Sequence, residues 1–184
     1  IGVNNWDVSN ATTLKAMFYN CSALTSLEVS TWKTSKVTDM SFVFYGCKGL
    51  TQIGVSEWDV SNATTLKALF YECTQLTSVD VCNWKISKVK DMSYMFFRCW
   101  AFTTYLDISG WTTSGVTDMQ CMFYNCAYLK IIYVGDGWDV SNVTSSDSMV
   151  AYLYYIEGGE GTSHNDANPI DKTYARIDDR TNGN

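Results

Sequence analysis

Residues 24–47 read LTSLEVSTWKTSKVTDMSFVFYGC, and the order of apolar positions in this stretch decides the fold. Leu24, Leu27 and Val29 form an L-x-x-L-x-V run. Within it Leu27 and Val29 alternate with Ser26, Glu28 and Ser30, the period-two pattern of a half-buried strand. Trp32 follows at the turn out of that strand, and Ser35, Val37, Met40, Phe44 and Cys47 then recur at intervals that suit a helix. At about 100° per residue these positions share one face. The stretch therefore predicts a strand, a turn and a short returning helix.

The same pattern repeats along the chain. Trp6, Trp32, Trp58, Trp84, Trp111 and Trp138 are separated by 26, 26, 26, 27 and 27 residues, and Cys21, Cys47, Cys73, Cys99 and Cys126 keep the same beat. A fixed period of this size means that each unit is one supersecondary element unable to bury its apolar face alone, so neighbours stack to form a core. A serine stands three residues after each of these tryptophans (Ser9, Ser35, Ser61, Ser87, Ser114, Ser141), placed to cap the helix or to form a ladder between coils. Residues 1–21 match residues 53–73 at all but four positions, a shift of 52, so a two-coil unit underlies the array. The last coil departs from the pattern, with Ser146, Val150 and Leu153 where Met, Phe and Cys are expected, which marks the approach of a cap.

These readings predict an α/β solenoid: a right-handed coil of five to six turns over residues 1–155, with a parallel β-sheet on one face and short helices or helical turns on the other. Residues 156–184 are polar and contain the only proline, Pro169; they read as a cap, linker or tail, in which residues 173–178 alternate like an edge strand. A start at Ile1 rather than Met reads as processed or truncated.

The repeat consensus, L-T-S-L-x-V-S-x-W-x-x-S-x-V-T-D-M-x-x-M-F-Y-x-C, resembles the BspA-like branch of the leucine-rich repeat superfamily, over residues 1–153. That resemblance implies a secreted or cell-surface adhesin that binds matrix proteins, other cells or its own copies. It carries no catalytic residues to transfer.

Composition limits the function classes. Apolar residues make up 46% and charged residues 17%, which is not the composition of a disordered chain. A net charge of −6 and a pI near 4.6, with no basic cluster, argue against nucleic acid. No apolar run approaches the ~18 residues of a membrane span. Five of the seven cysteines hold one repeat position, where neighbours stand ~4.8 Å apart rather than the ~3.8 Å that disulfide Cβ atoms prefer, so they read as buried free thiols. Cys82 and Cys121 break the pattern and are the candidates for reactive or paired thiols. The single histidine, His164, lies in the polar tail, and there is neither a C-x-x-C pair nor a histidine cluster. No enzyme activity, cofactor or metal is expected. Asp39, Asp91 and Asp118 suit the first turn of the helix, and calcium at Glu28, Asp80 and Asp107 is a minor alternative.

Two surfaces remain for binding. Outward strand positions include Ser26, Glu28, Gln52, Ser78, Asp80, Thr104, Asp107, Ile131 and Tyr133, of which Glu28, Asp80, Asp107 and Tyr133 are the candidate contacts. On the other side Tyr19, Tyr45, Tyr71, Phe97 and Tyr124 lie thirteen residues after Trp, away from the buried helical face, and Phe42 and Tyr94 stand beside them in alternate coils. This predicts an exposed aromatic stripe, with Phe42, Tyr45, Tyr94 and Phe97 as contacts; the alternative is a structural ladder of stacked rings. The sequons at Asn10, Asn20, Asn62 and Asn142 follow largely from the repeated S-N-x-T turn. The expected function is an extracellular binding module for protein or glycan partners. End-to-end self-association into a filament or surface layer is the alternative.

Overall fold

Segments one period apart pair side by side along the described chain. The computed structural model describes residues 2–103 and 105–156, so the expectations for Ile1, Thr104, His164 and the tail strand fall outside the described residues. β1 (Ser26–Leu27) pairs in parallel with β2 (Gln52–Ile53), and β3 (Tyr105–Asp107) pairs in parallel with β4 (Ile131–Tyr133). On the return side, parallel bridges run from Thr13 to Asp39, Thr65, Asp91, Asp118 and Ser145. These bridges step by 26 residues up to Asp91 and by 27 beyond it, while β3 and β4 keep a step of 26. The extra residues are therefore taken up before Tyr105 and after Tyr133.

The α/β solenoid expectation is overturned. Among the described residues there is no helix, and regular strand is confined to two small parallel sheets. Spacing explains why. Packed helices need about 8–10 Å between axes, whereas paired strands need about 4.8 Å. The return sides of successive coils here hold Phe18, Phe44, Phe70, Phe96 and Phe123 in one stack with centroids 5.6–5.8 Å apart, which leaves no room for a helix per coil. It also follows that, among the described residues, no helix is long and apolar enough to cross a membrane.

A run of overlapping turns takes the helix's place. In one coil Met17, Tyr19 and Cys21 donate their N–H groups to Leu14, Ala16 and Phe18, three residues back. The intervening N–H groups of Leu14, Ala16, Phe18 and Asn20 donate instead to the carbonyls of Asp39, Ser41, Val43 and Tyr45 in the next coil. The same four-bond junction recurs from Met40, Leu66, Met92 and Met119 onward. Turns three residues long repeat apolar positions at nearly helical intervals, so the pattern alone does not separate the two. The third residue of alternate turns takes positive φ, as at Ala16 and Asn20 (both 57°) and Phe42 (61°), the conformation of a type II turn. Among the described residues glycine occupies such a site only at Gly46 (φ 69°); elsewhere ordinary residues hold it at about 1 kcal/mol or more of strain, sustained by the junction bonds.

The aspartates also lose their helical rationale. Asp39 and Asp91 each accept the backbone N–H and the hydroxyl of Ser41 and Ser93, and Asp118 accepts the N–H of Gln120. These are local side-chain turns, in which a carboxylate replaces a backbone acceptor. Ser9, Ser61 and Ser141 cap no helix; their N–H groups donate to Asp7, Asp59 and Asp139.

Two side chains tie each coil to the one before it. Indole Nε1 of Trp32, Trp58, Trp84 and Trp111 donates to the carbonyls of Val3, Val29, Val55 and Val81, at 2.7–3.1 Å. The thiols of Cys47, Cys73, Cys99 and Cys126 donate to Phe18, Phe44, Phe70 and Phe96. Every one of these carbonyls already accepts the N–H that closes its own turn, so each uses both lone pairs. All seven cysteines are free thiols, with Cys47, Cys73, Cys99 and Cys126 buried and Cys21 exposed. Trp138 is the exception in the ladder: its buried Nε1 has no partner. The connection from Val134 to Trp138 is one residue longer than that from Ile108 to Trp111, and the backbone of Trp138 closes on Gly135 instead of Val134.

Two outcomes test this core. Trp84→Phe should lose about 1 kcal/mol more than Trp138→Phe in denaturant melts, because only the first deletes a made hydrogen bond. Burial, with Cys21 beside it, lifts the Cys47 thiol from its ordinary 9.0 to about 12, and burial lifts Cys126 to about 12 as well. Above pH 9 the unfolded chain therefore binds fewer protons than the folded one, so stability present below pH 9 is lost as pH rises toward 12. Melts at about pH 8, below that window, and at about pH 9.5 and 11, within it, should show a monotonic fall, reduced in Cys47→Val/Cys126→Val.

Candidate functional site

The outward residues of the first three coils enclose a groove. Leu27, Ile53 and Val79 point inward, which sends Glu28, Gly54 and Asp80 out at equivalent positions. Gly54 has no side chain, so a notch opens between the two carboxylates, walled further by Ser26, Ser30, Gln52 and Ser78. The open cavity measures about 350 Å³. A Cβ added at Gly54 would meet only the Ser30 Cβ, at 3.4 Å, so space alone leaves this position free to carry a side chain.

The groove coincides with a break in the sheet. β2 is followed one period later not by a strand but by Ser78, Val79 and Asp80, and pairing resumes only between β3 and β4. Among the described residues no backbone hydrogen bond joins these three residues to either neighbouring coil. Thr77, just before them, still donates to Thr51. The Asp80 carboxylate receives the N–H of Cys82 at a long 3.4 Å. Neither Glu28 nor Asp80 has an ion-pair partner among the described residues, unlike Glu72 and Asp91.

The four strand-face candidates therefore divide. Glu28 and Asp80 meet in the groove. Asp107 lies in β3 across the break, half-buried, and accepts the N–H and hydroxyl of Ser109. Tyr133 lies in β4 and leans against Tyr105 at 5.6 Å. Among the described residues no three His, Cys, Asp or Glu side chains gather as a metal site. Sequence reasoning missed Gly54, although the aligned triplet of Glu28, Gly54 and Asp80 held the signal.

The aromatic candidates form a stack. Tyr19, Tyr45, Tyr71, Phe97 and Tyr124 lie face to face with centroids 4.2–4.8 Å apart and planes within 9° of parallel. Phe42 and Tyr94 tilt against Tyr45 and Phe97 at 6.0 and 5.8 Å. All but Tyr19 of these seven rings are half-buried, because each covers its neighbour's face and leaves an edge to solvent. Burial, then the adjacent Tyr71 phenol, pushes the Tyr45 phenol well above its ordinary value, so it stays neutral. A charged border runs beside the stack: Glu72 lies 3.2 Å from Lys48 and 3.1 Å from Arg98, whose guanidinium sits over the Phe97 ring.

Cys82 and Cys121 do not pair. Cys82 Sγ lies 3.6 Å from the Ser109 hydroxyl, and Cys121 donates to the Asp147 carbonyl. Burial raises the Cys121 thiol's pKa, which disfavours a reactive thiolate. The ladder geometry implies that replacing Phe42, Tyr45, Tyr94 and Phe97 together by Ser removes several stacked contacts worth about 0.5–1.5 kcal/mol each beyond their buried area. The expected result is a loss of more than about 4 kcal/mol, read by denaturant melting.

The repeat register also appears in the comparison with known families. One family matches residues 1–80 and again residues 53–157, two placements whose starts differ by the two-coil unit. No curated protein and no solved structure matches the chain. The chain belongs to the family described as Mycoplasma protein of unknown function, DUF285.

Proposed function

We propose that this chain is a non-enzymatic binding module, acting at a cell surface or outside the cell, that presents its strand-side groove to protein or glycan partners. The observation that carries the reading is the polar notch over Gly54. Here a break in pairing, two carboxylates without an ion-pair partner among the described residues and an open cavity coincide. The resemblance to BspA-like surface repeats favours the same reading. The stacked rings act as part of the core and offer a partner only their edges.

The test is a binding screen of the purified chain against immobilised matrix proteins and a glycan array, repeated with Gly54→Leu. Leu at this position fills the notch while meeting little of the fold, so binding should fall at least tenfold, with folded stability changed by no more than about 0.5 kcal/mol. Antibody labelling of intact producing cells should stain the surface. Undiminished binding by Gly54→Leu would move the site elsewhere, and staining only after permeabilisation would reject the surface location.

A further inference from the structure

We infer that the groove takes a basic side chain, Lys or Arg, from an extended peptide segment of a partner protein; this rests on the reading of the chain as a binding module. Three independent features converge on that chemistry. Charge comes first: Glu28 and Asp80 flank the notch from opposite sides, and neither carboxylate is neutralised within the described fold. Their backbone positions are two coils apart, ~10 Å by strand spacing, well placed to flank a long cationic side chain standing over Gly54.

Size comes second. A cavity of about 350 Å³ lies at the small end of ligand pockets, which suits one long side chain rather than a whole folded element. The lining lacks an aromatic ring on which the C–H face of a sugar would stack; the nearest strand-face rings, Tyr105 and Tyr133, belong to the sheet across the break. The walls instead carry hydroxyl and amide groups from Ser26, Ser30, Gln52 and Ser78, which accept hydrogen bonds from an ammonium or guanidinium group.

Backbone comes third. Among the described residues, Ser78, Val79 and Asp80 make no main-chain hydrogen bond to either neighbouring coil, and they lie at the edge of the notch. An extended peptide laid over the notch can hydrogen-bond to these main-chain groups in addition to its charged anchor. Guanidinium recognition by two flanking carboxylates also gives strong salt dependence, since both groups are exposed.

Fluorescence polarisation with two labelled peptides tests this: an extended Thr-Val-Arg-Val-Thr sequence and its Glu-for-Arg counterpart. The Arg peptide should bind saturably, weaken as salt is raised, and lose at least tenfold in affinity to Glu28→Gln/Asp80→Asn. The control Glu57→Gln/Asp136→Asn removes the same charge at exposed positions outside the groove and should bind as the parent does. No saturable binding of the Arg peptide, or binding that survives Glu28→Gln/Asp80→Asn, overturns the inference. If matrix-protein or glycan binding is nevertheless lost in Gly54→Leu, the binding-module reading stands and only the cationic ligand is wrong. If the Arg peptide and the whole screen both fail, both are wrong.

Discussion

The structure depends on carbonyl oxygens that serve two coils at once. The Val29 carbonyl closes its own turn through the N–H of Trp32 and also receives the indole of Trp58. The Phe44 carbonyl closes a turn with Cys47 and receives the thiol of Cys73. A turn and a coil junction thus share one acceptor, so local conformation and stacking are hard to lose separately. This accounts for non-glycine residues with positive φ: a residue such as Phe42 is held in a strained conformation because relaxing it would break its junction bond to Lys67 as well as its turn.

Much of this was legible in the period. The positions of Trp and Cys mark the repeat, alternation around Leu27 and Val29 marks the inward face, and the extra residue of the later coils shows in the Trp spacing. The helix was misread because apolar positions three and four residues apart fit overlapping turns as well as a helix. What separates them is the distance between coils, and the stacked Phe18 and Phe44 side chains show that distance only once the chain is folded. Likewise the sequence marks Cys47 as buried without revealing the carbonyl it meets, since that depends on the turn before it.

The candidate site was legible in part. Glu28 and Asp80 stand out as exposed carboxylates on an alternating strand, but residues 78–80 alternate as residues 26–28 do, so nothing in composition announces that one pairs and the other does not. The additional residue ahead of β3 shifts the register on the far side of residues 78–80, whereas the loss of pairing to β2 occurs across an unchanged step of 26 that the sequence does not mark. A residue without a side chain, Gly54, then turns a discontinuity in pairing into a cavity.

The uniform junction has a consequence for how such chains change over time. Each junction presents the same donors on one side and the same acceptors on the other, so inserting or deleting a copied block recreates interfaces of a kind already present. The block that fits is two coils long, because the position beside the tyrosine stack alternates between the small Ala16 and Ala68 and the large Phe42 and Tyr94. Deleting the coil that carries Ala68 would set Phe42 against Tyr94, whereas deleting the 52 residues that carry Phe42 and Ala68 keeps a small residue beside a large one. Recombination between near-identical copies, such as residues 1–21 and 53–73, therefore offers a route to variation in reach that leaves the packing scheme intact.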